Sequence, residues 1–283
     1  LEGEYAELVK WINNQQKSVI SIDIPSGLFG ENNTENHGPV VISDYVIGLQ
    51  FPKLAFLMPE NQKYIKKWDI ADIGLNPEAI EECETGFYIT STGYVNSILR
   101  SRNKFSHKGD FGRGLLIAGS KGMAGAAVLA AKGALRSGIG LLTLRVPDDI
   151  YTVVQTSVPE AMASTYNDDM FWDETTSDKT WTAIGIGPGL GLSDNKKDSL
   201  KKLLCSGIEK VVIDADAINI LAEDRTLLVL LHKGCILTPH PGEFDKLTGK
   251  KNASGYDRIE EAVKFAIKYN VNIVLKGAYT ACI

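Results

Sequence analysis

Four cysteines are all that 283 residues supply, and Cys83, Cys205, Cys235 and Cys282 form no Cys-x-x-Cys pair. A zinc site needs thiolates and imidazoles at ligand spacing, and His37, His107, His232 and His240 add no such cluster. No metal site is read from the sequence, and the cysteines read as free, buried thiols of a reducing compartment. No apolar run approaches the roughly 20 residues that a membrane helix needs. The net charge is −5 with no basic stripe, so nothing offers a footprint for a nucleic-acid backbone. Nucleic acid and membrane are therefore not expected as partners. The P-loop pattern Gly-x-x-x-x-Gly-Lys-Ser/Thr and the dinucleotide pattern Gly-x-Gly-x-x-Gly are both missing, which disfavours an ordinary P-loop NTPase or Rossmann dehydrogenase. No signal peptide opens the chain, so a cytoplasmic location is expected. It starts without Met and stops inside a strand-like run at residues 280–283, so a fragment of a longer protein is also expected.

What is present is a globular composition, 44% hydrophobic and 23% charged, sufficient for a sizeable core in one large or two medium domains. Residues 4–14 suggest a helix. Residues 18–23 read as a buried strand ending in Asp23, ahead of the turn Ile-Pro-Ser-Gly at 24–27. Ligands of open α/β sheets sit beyond the carboxyl ends of strands, so Asp23 stands where chemistry takes place. The plainer alternative, which local sequence favours, is that Asp23 caps the turn. Residues 43–49 read as a second strand interrupted by Gly48. Lys53, just beyond it, either meets an anion or lies on the surface, the surface being the default. Residues 76–107 lack long periodic segments and read as a linker, taken as 85–107 between units at 1–84 and 108–283.

The second unit opens on its most informative stretch. Residues 115–118 are a short apolar run followed by Gly119, Ser120, Gly122 and Gly125, and then by an alanine-rich helical segment to Gly138. Strand, glycine loop and helix together bring backbone N–H groups to a helix N-terminus, where negative charge is favoured. A phosphate-bearing ligand is the first expectation. Residues 166–180 read as an exposed loop. A strand at 182–187 runs into Gly-Pro-Gly-Leu-Gly at 187–191, and a helix at 194–205 follows with Lys196, Lys197, Lys201 and Lys202 on its wet side. The next strand delivers Asp214 and Asp216, which either hold a metal or sugar hydroxyls or cap the helix after them. His240 sits between Pro239 and Pro241 at the start of another helix, which fixes its backbone and favours a positioned side chain over an ordinary structural histidine. The strand at 271–276 ends in Lys276 and Gly277, a lysine in a glycine turn suited to phosphate. Residues 280–283 read as the opening of a strand without a partner.

These motifs taken together resemble the bifunctional NAD(P)H-hydrate repair family, an epimerase half followed by an ADP-dependent dehydratase half. The resemblance rests on Asp-Ile-Pro-Ser-Gly at 23–27 and Phe-Pro-Lys at 51–53. In the second unit it rests on Lys-Gly-Asp-Phe-Gly at 108–112, Ala-Gly-Ser at 118–120, Met-Ala-Gly-Ala at 123–126, and the glycine turn at 187–191. Asp-Ala-Asp at 214–216, Thr-Pro-His-Pro-Gly-Glu at 238–243 and Lys-Gly at 276–277 complete it.

The resemblance implies a ribokinase-like three-layer α/β/α dehydratase domain, preceded by the C-terminal half of a Rossmann-like epimerase domain. It implies that hydrated NADH or NADPH is phosphorylated on its ring hydroxyl by ADP or ATP, and that the phosphate is then eliminated. Gly125, Ala126, Gly187, Gly189, Gly191, Asp216 and His240 would contact the hydrate, and Lys276, Gly277, Ala278, Tyr279 and Thr280 the nucleotide phosphates. Asp23 would be the epimerase's acid/base group. Mg2+ is expected with the nucleotide, K+ in the complete epimerase domain, and a homo-oligomer is allowed. The family's Gly-Gly-Ser-Gly-Asp segment, with its catalytic aspartate, would lie downstream of Ile283, so both sites are expected to be incomplete and the chain as written inactive. A ribokinase-fold vitamin kinase and a non-catalytic nucleotide-binding protein are the alternatives. The unit carrying Asp23 argues against the kinase.

Overall fold

A computed structural model describes residues 1–99, 101–177 and 180–283. The chain forms two compact units, Leu1–Asn103 with Ala253–Asp257, and Lys104–Asn252 with Arg258–Ile283.

In the first unit, helix α1 (Gly3–Asn14) buries Ala6 and Val9. Strands β1 (Ile20–Ile22), β2 (Tyr45–Leu49) and β3 (Trp68–Ala71) form a parallel sheet in that order. Ile22 lies opposite Ile47, and Leu49 opposite Ala71, so the carboxyl ends of the strands lie side by side. Gly48 stands in β2 because a Cβ there would lie 2.7 Å from the Ile70 side chain. Leu28, Val40, Val46, Ala55, Phe56 and Ile65 form the core. Further on, α2 (Pro77–Glu81) and α3 (Thr92–Ile98) each begin at a side-chain cap, Asn76 and Ser91, and neither buries a residue.

The second unit is built on an eight-stranded sheet. Its strands are β4 (Arg113–Ile117), β5 (Leu141–Pro147), β6 (Met162–Tyr166), β7 (Ala183–Ile186), β8 (Val211–Ile213), β9 (Cys235–Leu237), β10 (Asn272–Leu275) and β11 (Ala281–Cys282). The spatial order is β11-β10-β9-β8-β7-β4-β5-β6, and every pairing but β10 with β11 is parallel. Successive side chains of a strand point to opposite faces. Leu115 and Ile117 accordingly join one cluster with Ile184, Ile186, Leu200 and Leu203, while Leu116 and Ala118 join another with Leu142, Leu144, Ala127 and Ala131. The sheet is thus covered on both faces, as near-continuous apolar strands require.

Helix α4 (Ala124–Arg136) follows β4 and turns its buried Ala127 and Ala131 to the sheet. Small residues at that spacing let it lie close to the strands. Helix α5 (Tyr151–Ser157) contributes Val154 to the same cluster. The other face is covered by α7 (Asp194–Leu204), capped by the Ser193 hydroxyl, and by α8 (Ala215–Glu223), α9 (Pro241–Thr248) and α10 (Gly255–Tyr269). Gly249, at φ 71°, stops α9 in the left-handed conformation that favours glycine.

Four expectations are corrected by this arrangement. Residues 178 and 179 lie outside the described residues, and the rest of the stretch at 166–180 is not an exposed loop: Phe171 and Trp172 are buried, and α6 (Glu174–Ser177) follows them. The cause is Arg145 on β5, buried to 4% exposure, whose guanidinium donates to the carbonyls of Phe171 and Thr165 and to the Asp173 carboxylate. Lys196 is not on the wet side of α7 but buried, with its ammonium 3.0 Å from Asp169. Only Cys235 among the four cysteines is buried, and burial raises its thiol pKa; Cys205 follows α7 at the surface, Cys282 lies on an edge strand, and Cys83 is exposed. Finally, the run at 280–283 has a partner. Ile273 and Ile283 exchange backbone hydrogen bonds of 2.8 and 2.9 Å, making β11 an antiparallel edge.

Removing Arg145 would take a donor from two carbonyls and from Oδ2 of Asp173, whose Oδ1 keeps the Thr176 N–H and hydroxyl. Arg145→Ala should cost about 3 kcal/mol, the lower end for breaking a buried pair because Asp173 keeps a face to solvent. Lys10→Ala, which breaks an exposed pair with Glu7, should cost less than about 1 kcal/mol. Denaturant unfolding of the two variants checks the contrast, and equal losses would contradict the role given to Arg145.

Candidate active site

Parallel strands all present their carboxyl ends to one edge of the sheet, and ligand groups collect there. In the second unit that edge is organised by the turn after β7. Gly187 has φ 126°, and a Cβ on it would lie 1.8 Å from the Asp214 carbonyl oxygen, so no other residue fits. The turn is held from two sides. Gly119 N–H donates to the Pro188 carbonyl at 2.8 Å and the Ser120 hydroxyl to the Gly189 carbonyl at 2.9 Å, while Asp216 accepts the Gly191 N–H at 2.8 Å. Gly189, at φ 63°, lies against α4: a Cβ there would stand 2.7 Å from the Ala126 Cβ. Gly125, beside it in the first turn of α4, has open space where a side chain would be. The structure therefore brings together Gly125, Ala126, Gly187, Gly189, Gly191 and Asp216.

His240 and Lys276 form a neighbouring group. His240 is the N-cap of α9: its Nδ1 accepts the N–H groups of Gly242 and Glu243 at 3.0 and 3.2 Å, and Glu243 accepts the His240 N–H in return at 2.9 Å. An Nδ1 that accepts leaves the proton of the neutral ring on Nε2. Nε2 lies 3.4 Å from Glu243, a carboxylate partner that the sequence did not suggest, and the imidazole remains 57% exposed. The Lys276 backbone N–H donates to the Pro239 carbonyl at 2.9 Å, fixing the end of β10 beside His240. Its ammonium lies 2.5 Å from Asp214 at the end of β8. Gly277, Ala278, Tyr279 and Thr280 form the exposed turn between β10 and β11, with the Thr280 hydroxyl 3.5 Å from the Gly277 carbonyl.

The first unit has its own constellation. Asp23 follows β1 at φ 66°, and it does not cap the Pro-Ser-Gly turn. Its Oδ1 accepts from the Leu49 N–H at 3.2 Å and from the Lys53 ammonium at 2.5 Å. The hydrogen bond from Lys53, opposed by partial desolvation and helped by the Leu49 N–H, holds the Asp23 carboxyl below the usual carboxylate range. Lys53 is therefore paired with a carboxylate at the strand ends, against the surface default.

Three contributors take roles that the sequence did not give them, Asp214 having been left open between ligand and helix cap. Ser120 clamps the glycine turn, Asp214 pairs with Lys276, and Lys196 lies against the turn, its Nζ 3.4 Å from where a Gly191 Cβ would be. The signal available for Asp214 was its place at the end of a strand; that Lys276 is its partner follows from the sheet order. No local signal marked Lys196.

Known proteins match the chain in both units. The sequence profile described as NAD(P)H-hydrate dehydratase matches residues 114–283, and the profile described as YjeF-related protein N-terminus matches residues 1–55. The bifunctional NAD(P)H-hydrate repair enzymes of Moorella thermoacetica and Coxiella burnetii are each 31% identical, over 98% and 99% of this chain and 54% and 56% of their own lengths. The chain thus spans about half the length of the curated relatives it matches. Among solved structures, a ribokinase-like superfamily protein of Enterococcus faecalis superposes with a TM-score of 0.60 at 23% identity, covering 71% of each chain. The ADP/ATP-dependent NAD(P)H-hydrate dehydratase of Bacillus subtilis, co-crystallised with ATP and Mg2+, superposes with a TM-score of 0.55 at 33% identity, covering 67% of this chain and 66% of that one. The fold of the second unit is ribokinase-like α/β/α, and the chain belongs to the NAD(P)H-hydrate dehydratase family.

Proposed function

We propose that the second unit carries nucleotide- and hydrate-binding elements of an ADP-dependent dehydratase acting on hydrated NADH or NADPH, and that the first unit carries part of the epimerase that interconverts the R and S hydrates. The observation that carries this reading is the joining, on one sheet edge, of the glycine turn at 187–191 to Ser120 and Asp216, with the Lys276 ammonium close to the end of β8. Small residues leave backbone close to the edge, where a flat ring and its hydroxyl can approach. Lys276 supplies the cation for a phosphate.

The chemistry asks for this division. Hydroxide is a poor leaving group, and transfer of a phosphoryl group to the ring hydroxyl makes it a good one, after which the ring nitrogen supplies the electrons that expel it. The Asp214–Lys276 pair is partly exposed, and such pairs contribute only about 0–1 kcal/mol. A phosphate can therefore take the ammonium at small cost, freeing the Asp214 carboxylate. Among the described residues no group of three His, Cys, Asp or Glu side chains could hold a metal. Mg2+ would accordingly arrive on the phosphates, with Asp214 or Asp216 offering a carboxylate, as Mg2+ sites with nucleotides usually do. Potassium for the epimerase, a homo-oligomer and a cytoplasmic location belong to the same reading and rest on the resemblance and composition. Among the described residues no helix is long and apolar enough to cross a membrane.

Binding to the folded state alone should raise stability by about 2.7 kcal/mol at a hundredfold excess of ligand over its dissociation constant. ADP is expected to raise the melting temperature of the chain, and Lys276→Ala to remove most of that rise. Superimposable melts with and without ADP would contradict nucleotide binding by this chain.

His240 both caps a helix and presents Nε2–H, and two substitutions separate these roles. His240→Ala should lose about 1 kcal/mol of stability with the cap, whereas His240→Asn keeps a capping oxygen and should lose little. Both should weaken binding of the hydrate, and neither should weaken ADP, as calorimetric titration would show. Unchanged hydrate affinity in His240→Asn would assign His240 to the fold alone.

A further inference from the structure

The end of β1 departs from what a simple strand-to-turn transition needs. An aspartate at φ 66° adopts a conformation with an energetic cost, and such residues persist where surrounding contacts over-determine them. Asp23 is held in this way. Its N–H donates to Ile47 at 2.8 Å, and its Oδ1 receives both Leu49 N–H and the Lys53 ammonium, while Oδ2 has no partner among the described residues. Lys53 is equally constrained, since its ammonium lies 3.2 Å from the Leu49 carbonyl and 3.5 Å from that of Phe51. The lysine is the more sheltered partner, at 26% exposure against 41% for the aspartate.

An ordinary stabilising pair has none of these features. Lys10 and Glu7 stand 58% and 73% exposed on α1 with no strained backbone between them. Three acidic groups beside the small sheet have partners of their own. Asp44 pairs with Lys66 ahead of β2, Asp69 accepts from the Tyr45 hydroxyl, and Asp72 accepts the Gly74 N–H past the end of β3. Lys53 is the cation that meets Asp23.

We propose that Lys53 is the positioning residue of the epimerase unit: its ammonium occupies Oδ1 of Asp23, fixing the carboxylate at the strand end with Oδ2 left as the oxygen that meets the substrate's proton. This rests on the reading of Asp23 as the epimerase's acid/base group. The physical gain is twofold. An ammonium beside the carboxylate keeps it ionised and ready to accept a proton, and a fixed direction saves the ordering that a freely rotating carboxylate would require.

The test compares Lys53→Met, Lys53→Gln and Asp23→Asn with the unaltered chain by two readouts. The first is the pH titration of the Asp23 carboxyl carbon by NMR, assigned by its loss in Asp23→Asn; the second is interconversion of the R and S hydrates followed by chromatography, made with the substitutions in a full-length protein that contains this chain. In Lys53→Met the Asp23 midpoint should move upward, and interconversion should fall about 10- to 100-fold, the loss expected from a misplaced catalytic group. The acidic limb of its pH profile should move to higher pH. Lys53→Gln keeps a hydrogen-bond donor without charge and should show the same upward movement, which preserves the test if the Met variant does not fold. An unmoved Asp23 midpoint in a folded Lys53 variant overturns the proposal, whether or not the chain turns over. Interconversion by Asp23→Asn at the unaltered rate, with the midpoint still moved by Lys53→Gln, would instead sink the epimerase reading of Asp23 and leave the pairing intact.

Discussion

The contact on which the second unit's site depends is the approach of the Gly187 backbone to the carbonyl of Asp214. With a Cβ position only 1.8 Å from that oxygen, a side chain at 187 would push the turn away from the end of β8. The hydrogen bonds from Ser120 and to Asp216 would then lose their geometry together, because both grip the same five-residue turn. Two strand ends and two helix N-termini are thus registered against each other by one absence of a methyl group. Gly140 and Gly234, just before β5 and β9, make approaches as close, 1.6 and 1.5 Å, whereas the apolar side chains of the sheet are replaceable by others of like volume.

The two sheets share a device although their strands differ in number. In each, the residue just after a parallel strand is an aspartate, and a lysine just beyond another strand of the same sheet, the neighbouring one in the first unit and the next but one in the second, reaches it at 2.5 Å. In each, a left-handed residue stands at the turn, Asp23 itself in one and Ala215 in the other. Parallel topology makes the device available, because it places strand-end residues far apart in sequence side by side. The exposures suggest different uses. In the first unit the lysine is the more covered partner and the carboxylate the more open, whereas in the second the lysine is 44% exposed against 28% for the aspartate. One pair offers an oxygen and the other a cation.

Much of this was legible in the sequence because glycine, proline and strand-end carboxylates act locally. The left-handed stop at Gly249, the proline-fixed start at His240 and the glycine turn at 187–191 needed no knowledge of distant residues. What escaped depends on pairing between distant segments. The fate of residues 166–180 is decided by Arg145, more than 20 residues earlier. A buried Lys196 follows a helix face that reads as solvated, because its partner Asp169 lies in a segment without periodicity. The partner of the run at 280–283 is its own preceding strand, which a reading of apolar content cannot distinguish from an unpaired edge. Asp23 misled for a related reason: the turn beside it offers N–H groups, but its carboxylate takes the Leu49 N–H at the end of β2 and the Lys53 ammonium instead.

The short antiparallel strand β11 has a consequence for how the turn at 276–280, proposed above to hold a phosphate, would meet an anion. Its two backbone hydrogen bonds between Ile273 and Ile283 clamp both ends of that turn, while the Lys276 N–H is tied to Pro239. A loop of so few residues closed at both ends has little conformational freedom left to lose. Ordering costs normally subtract from affinity, so here most of the attraction between the turn's backbone and a bound phosphate can appear as net binding. The edge of the sheet thus acts as a preorganising frame, and the entropy was given up when the hairpin folded.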